Sequence, residues 1–323
     1  MTYHIVTLGD PVADLVIPIS HFPIKPQEHQ SADDIMLDAG GTGNFLIMAS
    51  RLGLYPIIIG GIGNDYYGKT IIDIFQSEKI NVDHIVNQSS ATTSVSIGLI
   101  TQGKDHVFLW KRPTGPIIEY NNTHEHIIKT ADALFTAGHA LDPGSLFTPQ
   151  SVLKLLKFAH SREIPIFFDI GPSAFVSDKS CIQTAIGYAN IVLATEEEAY
   201  EWTGITDTFK SAKFFINNGA KIAIIKMGPR GCLLMNQNNH VQIPSFNIEV
   251  QNTAAAGDAF ASGCVYGFLN HYTLTQMGQL ANAIGAASAS KIGTGSRLPH
   301  IKEIIETLTI KEHPIFHLHN KVN

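Results

Sequence analysis

Apolar residues follow two rhythms along this chain, and the two alternate. Short runs rich in β-branched and aromatic residues predict strands at Tyr3 to Leu8, Pro56 to Gly60, Ala133 to Thr136, Ile166 to Asp169, Ile191 to Ala194 and Ile222 to Lys226. Between them, Gly43 to Arg51, Asp65 to Glu78, Thr148 to Ser161, Asp178 to Tyr188 and the region Glu196 to Asn218 repeat with the period of a helix. In the second of these, Tyr67, Ile71, Ile72 and Phe75 form the apolar side. Strands alternating with helices predict an α/β fold with a mostly parallel central sheet, and strands this apolar suit a sheet covered by helices on both faces.

Three stretches break the alternation. Asp14 to Ile19, Ile35 to Asp38, Thr93 to Ile100 and His106 to Trp110 predict short strands with few helices between them, the last two forming a hairpin through Thr101 to Asp105. They predict a small separate sheet, and because its segments (about 12–38 and 92–112) interrupt the early part of the larger fold, it is expected to lie as a lid over one edge. A further hairpin is expected from Gly231 to Asn236 and Val241 to Ile243, turning at Gln237 to Asn239. After Pro299 a helix from Ile301 to Thr309 closes a domain of residues 1–310. A tail of residues 311–323 follows, whose His313, His317 and His319 read as a frayed terminus rather than a metal site.

Composition narrows the class of function. With 44% hydrophobic residues over 323 positions the chain buries a large core. A formal charge of −6 without a dense Lys/Arg run argues against nucleic acid or an anionic membrane as partner and favours a small molecule. Met1 to Ile19 carries Asp10, Pro11 and Asp14 and no basic stretch, so it reads as neither signal peptide nor membrane span, and a cytoplasmic location is expected. Cys181, Cys232 and Cys264 lie too far apart for metal-ligand spacing and read as packing residues.

Three motifs carry candidate chemistry. Asn252-Thr253-Ala254-Ala255-Ala256-Gly257-Asp258 runs into the apolar helix starting at Ala259. Its small side chains let a ligand approach backbone N–H groups at the positive end of the helix, where a phosphoryl group gains stabilisation, and Asp258 could take a proton from an attacking hydroxyl. An ordinary small-residue helix start with a dipole-favoured Asp is the alternative. Asp38-Ala39-Gly40-Gly41-Thr42-Gly43-Asn44 offers close backbone approach to a polyol, with Asn44 both donor and acceptor, or else a tight strand-to-helix turn. Lys226-Met227-Gly228-Pro229-Arg230-Gly231 falls at the carboxyl end of a strand, where open α/β sheets bind ligands; its glycines admit a nucleotide or serve the turn.

In order and spacing the three motifs resemble the ribokinase-like, or PfkB-type, carbohydrate kinases up to about Pro299. The resemblance implies that Asp258 is the catalytic base and that the N–H groups of Ala255, Ala256 and Gly257 form an anion hole. It further implies sugar binding by Asp14 (beyond Gly9), Gly40, Gly41 and Asn44, and handling of Mg²⁺ and phosphate by Glu198 in Thr195-Glu196-Glu197-Glu198. The nucleotide side falls on Lys226, Gly228 and Gly231, with an adenine-side helix at Ala281-Asn282-Ala283 and Gly293 beyond it. The implied donor is ATP.

Departures from the family pattern bear on the cation. Asn252 stands where the signature has Asp and Thr195 where it has Asn, which puts activation by K⁺ in question. Ala255 replaces a Gly, and Asp169-Ile170-Gly171 stands where many members have Asp-Pro-Asn. The expectation is a sugar kinase transferring phosphate to a primary hydroxyl by direct in-line displacement. A nucleoside kinase with Phe108 or Trp110 stacking on a base is the runner-up, and a ligand-binding regulator without catalysis a third reading. Lys111 and Arg112 could hold an anionic group of the acceptor or form a solvated pair; the exposed edges of the lid suggest a homodimer.

Overall fold

The computed structural model describes residues 2–32, 34–101 and 106–309. The hairpin turn expected around residues 102–105 and the tail histidines lie outside the described residues. Chain order opens with β1 (His4–Leu8), β2 (Pro11–Ile19), β3 (Met36–Gly41), α1 (Thr42–Arg51), β4 (Tyr55–Gly63), α2 (Tyr66–Ser77), β5 (Ile85–Gln88), β6 (Ser94–Thr101) and β7 (His106–Lys111). It continues with α3 (Asn122–Lys129), β8 (Ala133–Ala137), α4 (Pro149–Ser161), β9 (Ile166–Asp169), α5 (Lys179–Tyr188), β10 (Ile191–Thr195), α6 (Glu196–Thr203), α7 (Thr208–Asn217) and β11 (Ile222–Lys226). The last elements are β12 (Cys232–Asn236), β13 (His240–Ile243), α8 (Ala256–Leu269), α9 (Leu274–Ala289) and α10 (Ile301–Thr309).

Among the described residues the strands form a 9-stranded sheet, in order β13-β12-β11-β10-β9-β8-β1-β4-β5, and a 4-stranded sheet, in order β3-β2-β6-β7. The large sheet is parallel from β5 to β11 and turns antiparallel only at the β12–β13 hairpin. Alternation along each strand divides two cores. Ile5, Phe167, Leu193 and Ile224 face α1, α2, α8, α9 and α10, while Val6, Phe168, Val192 and Ile225 face α3 to α7. Both faces are covered, as the unbroken apolarity of these strands requires.

Differences from the sequence reading are local. β3 runs on through Gly40 and Gly41, so the diglycine lies at the end of a lid strand rather than in a loop. The alternation pattern passed over α3 and β5. The first has His, Thr and Glu among its eight residues (Asn122–Lys129) and is held by its Asn121 cap; the second, Ile85-Val86-Asn87-Gln88, is a largely exposed edge strand whose pairing to β4 no hydrophobic period signals.

Helix starts fall into two groups. α2 to α7 and α9 each begin with an Asp, Asn or Thr side chain accepting from a backbone N–H of the first turn, at Asp65, Asn121, Thr148, Asp178, Thr195, Asp207 and Thr273. α1 and α8 begin at Gly41 and Ala255 without a side-chain cap. No side chain satisfies their first N–H groups, although Ala256 N–H reaches the Thr253 carbonyl at 3.2 Å.

Candidate active site

The start of α8 lies near the carboxyl ends of β9 and β11, whose Asp169 and Lys226 act electrostatically on Asp258. Asp258 lies in its first turn and accepts a hydrogen bond from Asn44 Nδ2 at 3.2 Å. Burial, reinforced by the charge of Asp169, pushes the Asp258 carboxyl up to about 6, while the Asn44 hydrogen bond and the charges of Lys226 and His139 restrain the rise. A carboxylate in that range is ionised at neutral pH yet basic enough to take a proton from a hydroxyl losing it in a transition state.

β2 and β3 bring the second group. Asp14, 8% exposed, pairs in register with Asp38, and its carboxylate lies over the backbone of Gly40: a Cβ there would stand 1.8 Å from Asp14 Oδ2. Only glycine leaves this space. Burial pushes the Asp14 carboxyl up to about 7; nearby Asp258 and Asp38 add to this, and the Thr294 and Ser96 hydroxyls oppose it. Gly41, at φ 54°, turns the chain from β3 into α1, whose Asn44 is 3% exposed and anchored by the Gly295 N–H donating to its Oδ1 at 2.9 Å. Asp38 is spent on this loop, accepting from Ser296 N–H at 2.8 Å and from the Ser296 hydroxyl. Asp14, Gly40, Gly41, Asn44 and Asp258 thus lie close together.

The third group lies on the other side of Asp258. Lys226 Nζ, at the end of β11, donates to both oxygens of Asp169 at the end of β9, at 3.0 and 2.7 Å. A Cβ on Gly257 would stand 3.5 Å from that ammonium. Glu198 forms a capping box with Thr195, its Oε2 accepting from Thr195 N–H at 2.7 Å and its own N–H donating to Thr195 Oγ1 at 3.2 Å. Burial raises the Glu198 carboxyl, Lys226 opposing and Asp169 reinforcing the effect. Gly228 and Gly231 both have positive φ, and at Gly231 (φ 91°) a Cβ would lie 1.8 Å from the Ile243 carbonyl oxygen, so that position admits no side chain, whereas the space around Gly228 is open. Asn282 is buried and donates to the Ile243 carbonyl at 3.1 Å, which ties α9 to the end of β13. In front of α8, Asn252 Oδ1 accepts from Ala254 N–H at 2.9 Å, while its buried Nδ2 has no hydrogen-bond partner among the described residues.

A further polar cluster drew no role from the sequence. Asp10 accepts from Leu146 N–H at 3.1 Å, and burial pushes its carboxyl up to about 6. His139 Nδ1 is 3.2 Å from Asp142 Oδ2; desolvation works against its protonation, but Asp142, with Asp258 and Asp169 farther off, outweighs that and raises it. Arg112 reaches this cluster, donating to the Pro143 carbonyl at 3.1 Å and lying 5.4 Å over the Trp110 ring. Lys111 does not: its Nζ is engaged by Thr92 Oγ1 at 2.8 Å and the Thr93 carbonyl at 3.0 Å. The signal for Asp10 was an acidic residue directly after an apolar strand; nothing local marks His139 or Asp142. A cavity of about 490 Å³ between α7 and the β12–β13 hairpin, lined by Thr208, Phe209, Arg230 and His240 among others, includes none of the residues just described.

Comparison with known proteins agrees with this geometry. The profile of the pfkB family carbohydrate kinases matches residues 3–301. The chain is therefore a member of the PfkB carbohydrate kinase family, a phosphotransferase acting on an alcohol group. A ribokinase of Haemophilus influenzae is 26% identical over 310 residues, covering 93% of this chain and 97% of the relative. A 5-dehydro-2-deoxygluconokinase of Bacillus thuringiensis is 26% identical over 281 residues, covering 82% and 83%. In structure, Arabidopsis thaliana ribokinase complexed with ribose and ATP superposes with a TM-score of 0.81 at 18% identity, over 95% of this chain and 99% of that one. A Methanocaldococcus jannaschii nucleoside kinase of the ribokinase family superposes with a TM-score of 0.77 at 15% identity, over 96% and 99%. Among the described residues no helix is long and apolar enough to cross a membrane.

Proposed function

We propose that this kinase moves the γ-phosphoryl group of ATP to a primary hydroxyl of a sugar or sugar derivative in a single in-line step. The supporting observation is that Asp258, at a helix start without a side-chain cap, is hydrogen-bonded to Asn44 and lies near enough to Asp14 to act on its charge. In this reading Asp14, the Gly40-Gly41 backbone and Asn44 hold the acceptor hydroxyls, and the N–H groups of Ala255, Ala256 and Gly257 receive the phosphoryl oxygens. The acceptor oxygen bonds to the γ-phosphorus as the bond to the bridging oxygen breaks. ADP leaves with that electron pair, and the hydroxyl proton passes to Asp258.

The nucleotide lies along the Lys226 to Gly231 turn and the α9 face carrying Asn282 in this assignment. Asn282 shapes that wall through its bond to the Ile243 carbonyl. Glu198, facing Lys226 and Asp169 from the first turn of α6, fits the task of holding the Mg²⁺ that accompanies ATP, an ion that neutralises phosphate charge when bound. A homodimer through the lid and a cytoplasmic location complete the proposal; β7 is an edge strand exposing Val107, Phe108, Leu109 and Trp110.

An ATP-consumption screen over pentoses, hexoses, sugar acids, phosphosugars and nucleosides tests the reading. Turnover of a sugar-type acceptor supports it, and exclusive turnover of nucleosides would replace it with a nucleoside kinase. Arg112→Ala refines the outcome: a large loss marks an acidic or phosphorylated sugar, since a guanidinium suits such groups, and no loss marks a neutral one.

A further inference from the structure

We propose that Lys226 is a catalytic residue whose ammonium, aimed by Asp169, contacts the phosphoryl group during transfer, so that the protein supplies its own fixed cation at the transfer point. The inference rests on the reading of the α8 start as the transfer site. It goes beyond a place for Lys226 on the nucleotide side.

Three observations carry it. Lys226 and Asp169 end strands that flank β10, and the bidentate contact of 3.0 and 2.7 Å fixes the ammonium at the carboxyl edge rather than letting the long side chain roam. The ammonium lies beside the uncapped helix start: the 3.5 Å from Nζ to a Cβ at Gly257 means that any side chain there would fill the gap between cation and anion hole. Finally, Asp169, Glu198 and Asp258 all act electrostatically on Lys226. These carboxylates surround the Lys226 ammonium, so it offers an incoming phosphate a positive charge held in place by the protein.

The chemistry requires no proton from Lys226. Its N–H groups donate to the equatorial γ-phosphoryl oxygens as the acceptor oxygen bonds to phosphorus and the bridging oxygen departs with ADP. Asp258 takes the hydroxyl proton, and Lys226 remains an ammonium throughout. Asp169 is a positioning residue, acting through Lys226.

The test is nucleotide binding and turnover in Lys226→Gln and in the double variant Asp169→Asn/Lys226→Gln. The double variant removes both charges together, so that neither is left buried and unpaired. ATP and ADP are the probes, with affinities measured by calorimetry, and turnover is measured on the acceptor found in the screen. A contact to the γ-phosphoryl group predicts that both variants lose ATP affinity by roughly 10–100-fold with ADP affinity little changed, since a hydrogen bond to a charged group is lost only with ATP. Turnover should fall by about 10²–10³-fold, as for removal of one oxyanion donor. Equal losses for ATP and ADP, or a folded double variant with unaltered turnover, would overturn the proposal and return the pair to a structural clamp. If Asp258→Asn proves equally harmless, the transfer site itself is misplaced; if Asp258→Asn abolishes turnover while the double variant does not, only the role of Lys226 fails.

Discussion

Asn44 donates from Nδ2 to Asp258 Oδ2 at 3.2 Å across 214 residues of sequence, while its Oδ1 accepts from Gly295 N–H at 2.9 Å. The amide is held from both ends, and the group that would meet an acceptor hydroxyl is the group that orients the base. In the proposed reading, acceptor binding and proton removal would be coupled through one side chain.

Replacing that base is the most direct check. Asp258→Asn keeps the size and removes the proton acceptor, so turnover should drop by about 10²–10⁴-fold while ATP affinity is retained. Steady-state rates beside calorimetric ATP binding decide it, and near-normal turnover on the true acceptor would remove the assignment.

The pH profile follows from the same group. With Asp258 pushed up to about 6, the ionised and active form is lost as pH falls through that value, so kcat/KM should descend on the acid side with a midpoint near there. Asn44→Ala removes a hydrogen bond that favours the carboxylate, so its midpoint should move to higher pH. An acid limb that is unmoved in Asn44→Ala would argue against the coupling.

Stability of the ligand-free protein should run the other way. Asp10 and Asp258 are raised from 3.8 to about 6 and Asp14 to about 7, so the native state holds their protons more tightly than the unfolded chain. The stabilisation is complete below an ordinary Asp pKa and is lost as pH rises through the raised values. The contribution of these groups to Tm should therefore fall between about pH 4 and 7. Asp14→Asn, which cannot titrate, should flatten part of the descent in a calorimetric pH series.

Gly40→Ala probes the acceptor pocket without touching charge. The added methyl would stand 1.8–2.2 Å from the Asp14 carboxylate atoms, so that side chain must swing out of place. Overpacking of this kind costs about 1–3 kcal/mol, and acceptor KM should rise while ATP binding is spared. Asp14→Ala should weaken acceptor use by about one to two powers of ten through loss of a buried carboxyl as hydrogen-bond partner. Unchanged acceptor KM in both variants would place the acceptor elsewhere.

Monovalent cations should matter little. Asn252 presents a buried amide Nδ2 without a partner among the described residues, a donor that repels a cation, and spends its oxygen on Ala254 N–H. Exchanging K⁺ for a bulky organic cation at constant ionic strength should leave the rate nearly unchanged, and Asn252→Asp should create or strengthen a potassium response. Strong, saturable activation of the unaltered protein by K⁺ would contradict this reading.

Much of the architecture is local information. Burial on both faces gives β9 and β11 their unbroken apolar runs, and helix period with Asp or Thr at the cap marks α2 and α4, so each element announces itself within its own residues. The motif around Asp258 and the diglycine at Gly40 were legible for the same reason: small residues before a helix describe their own backbone. α3 and β5 were not, because their stability comes from a cap and an edge pairing rather than from hydrophobic period. What only the tertiary structure decided is which distant groups meet. Asp169 and Lys226 lie 57 positions apart and become partners because β9, β10 and β11 align in register, ending at one edge. The pairing of β2 with β3 likewise lays Asp14 over Gly40, and the packing of α1 against α8 brings Asn44 to Asp258. Register and helix packing are properties of the assembled chain, so the pairing of Asp169 with Lys226 and that of His139 with Asp142 had no local signature to read.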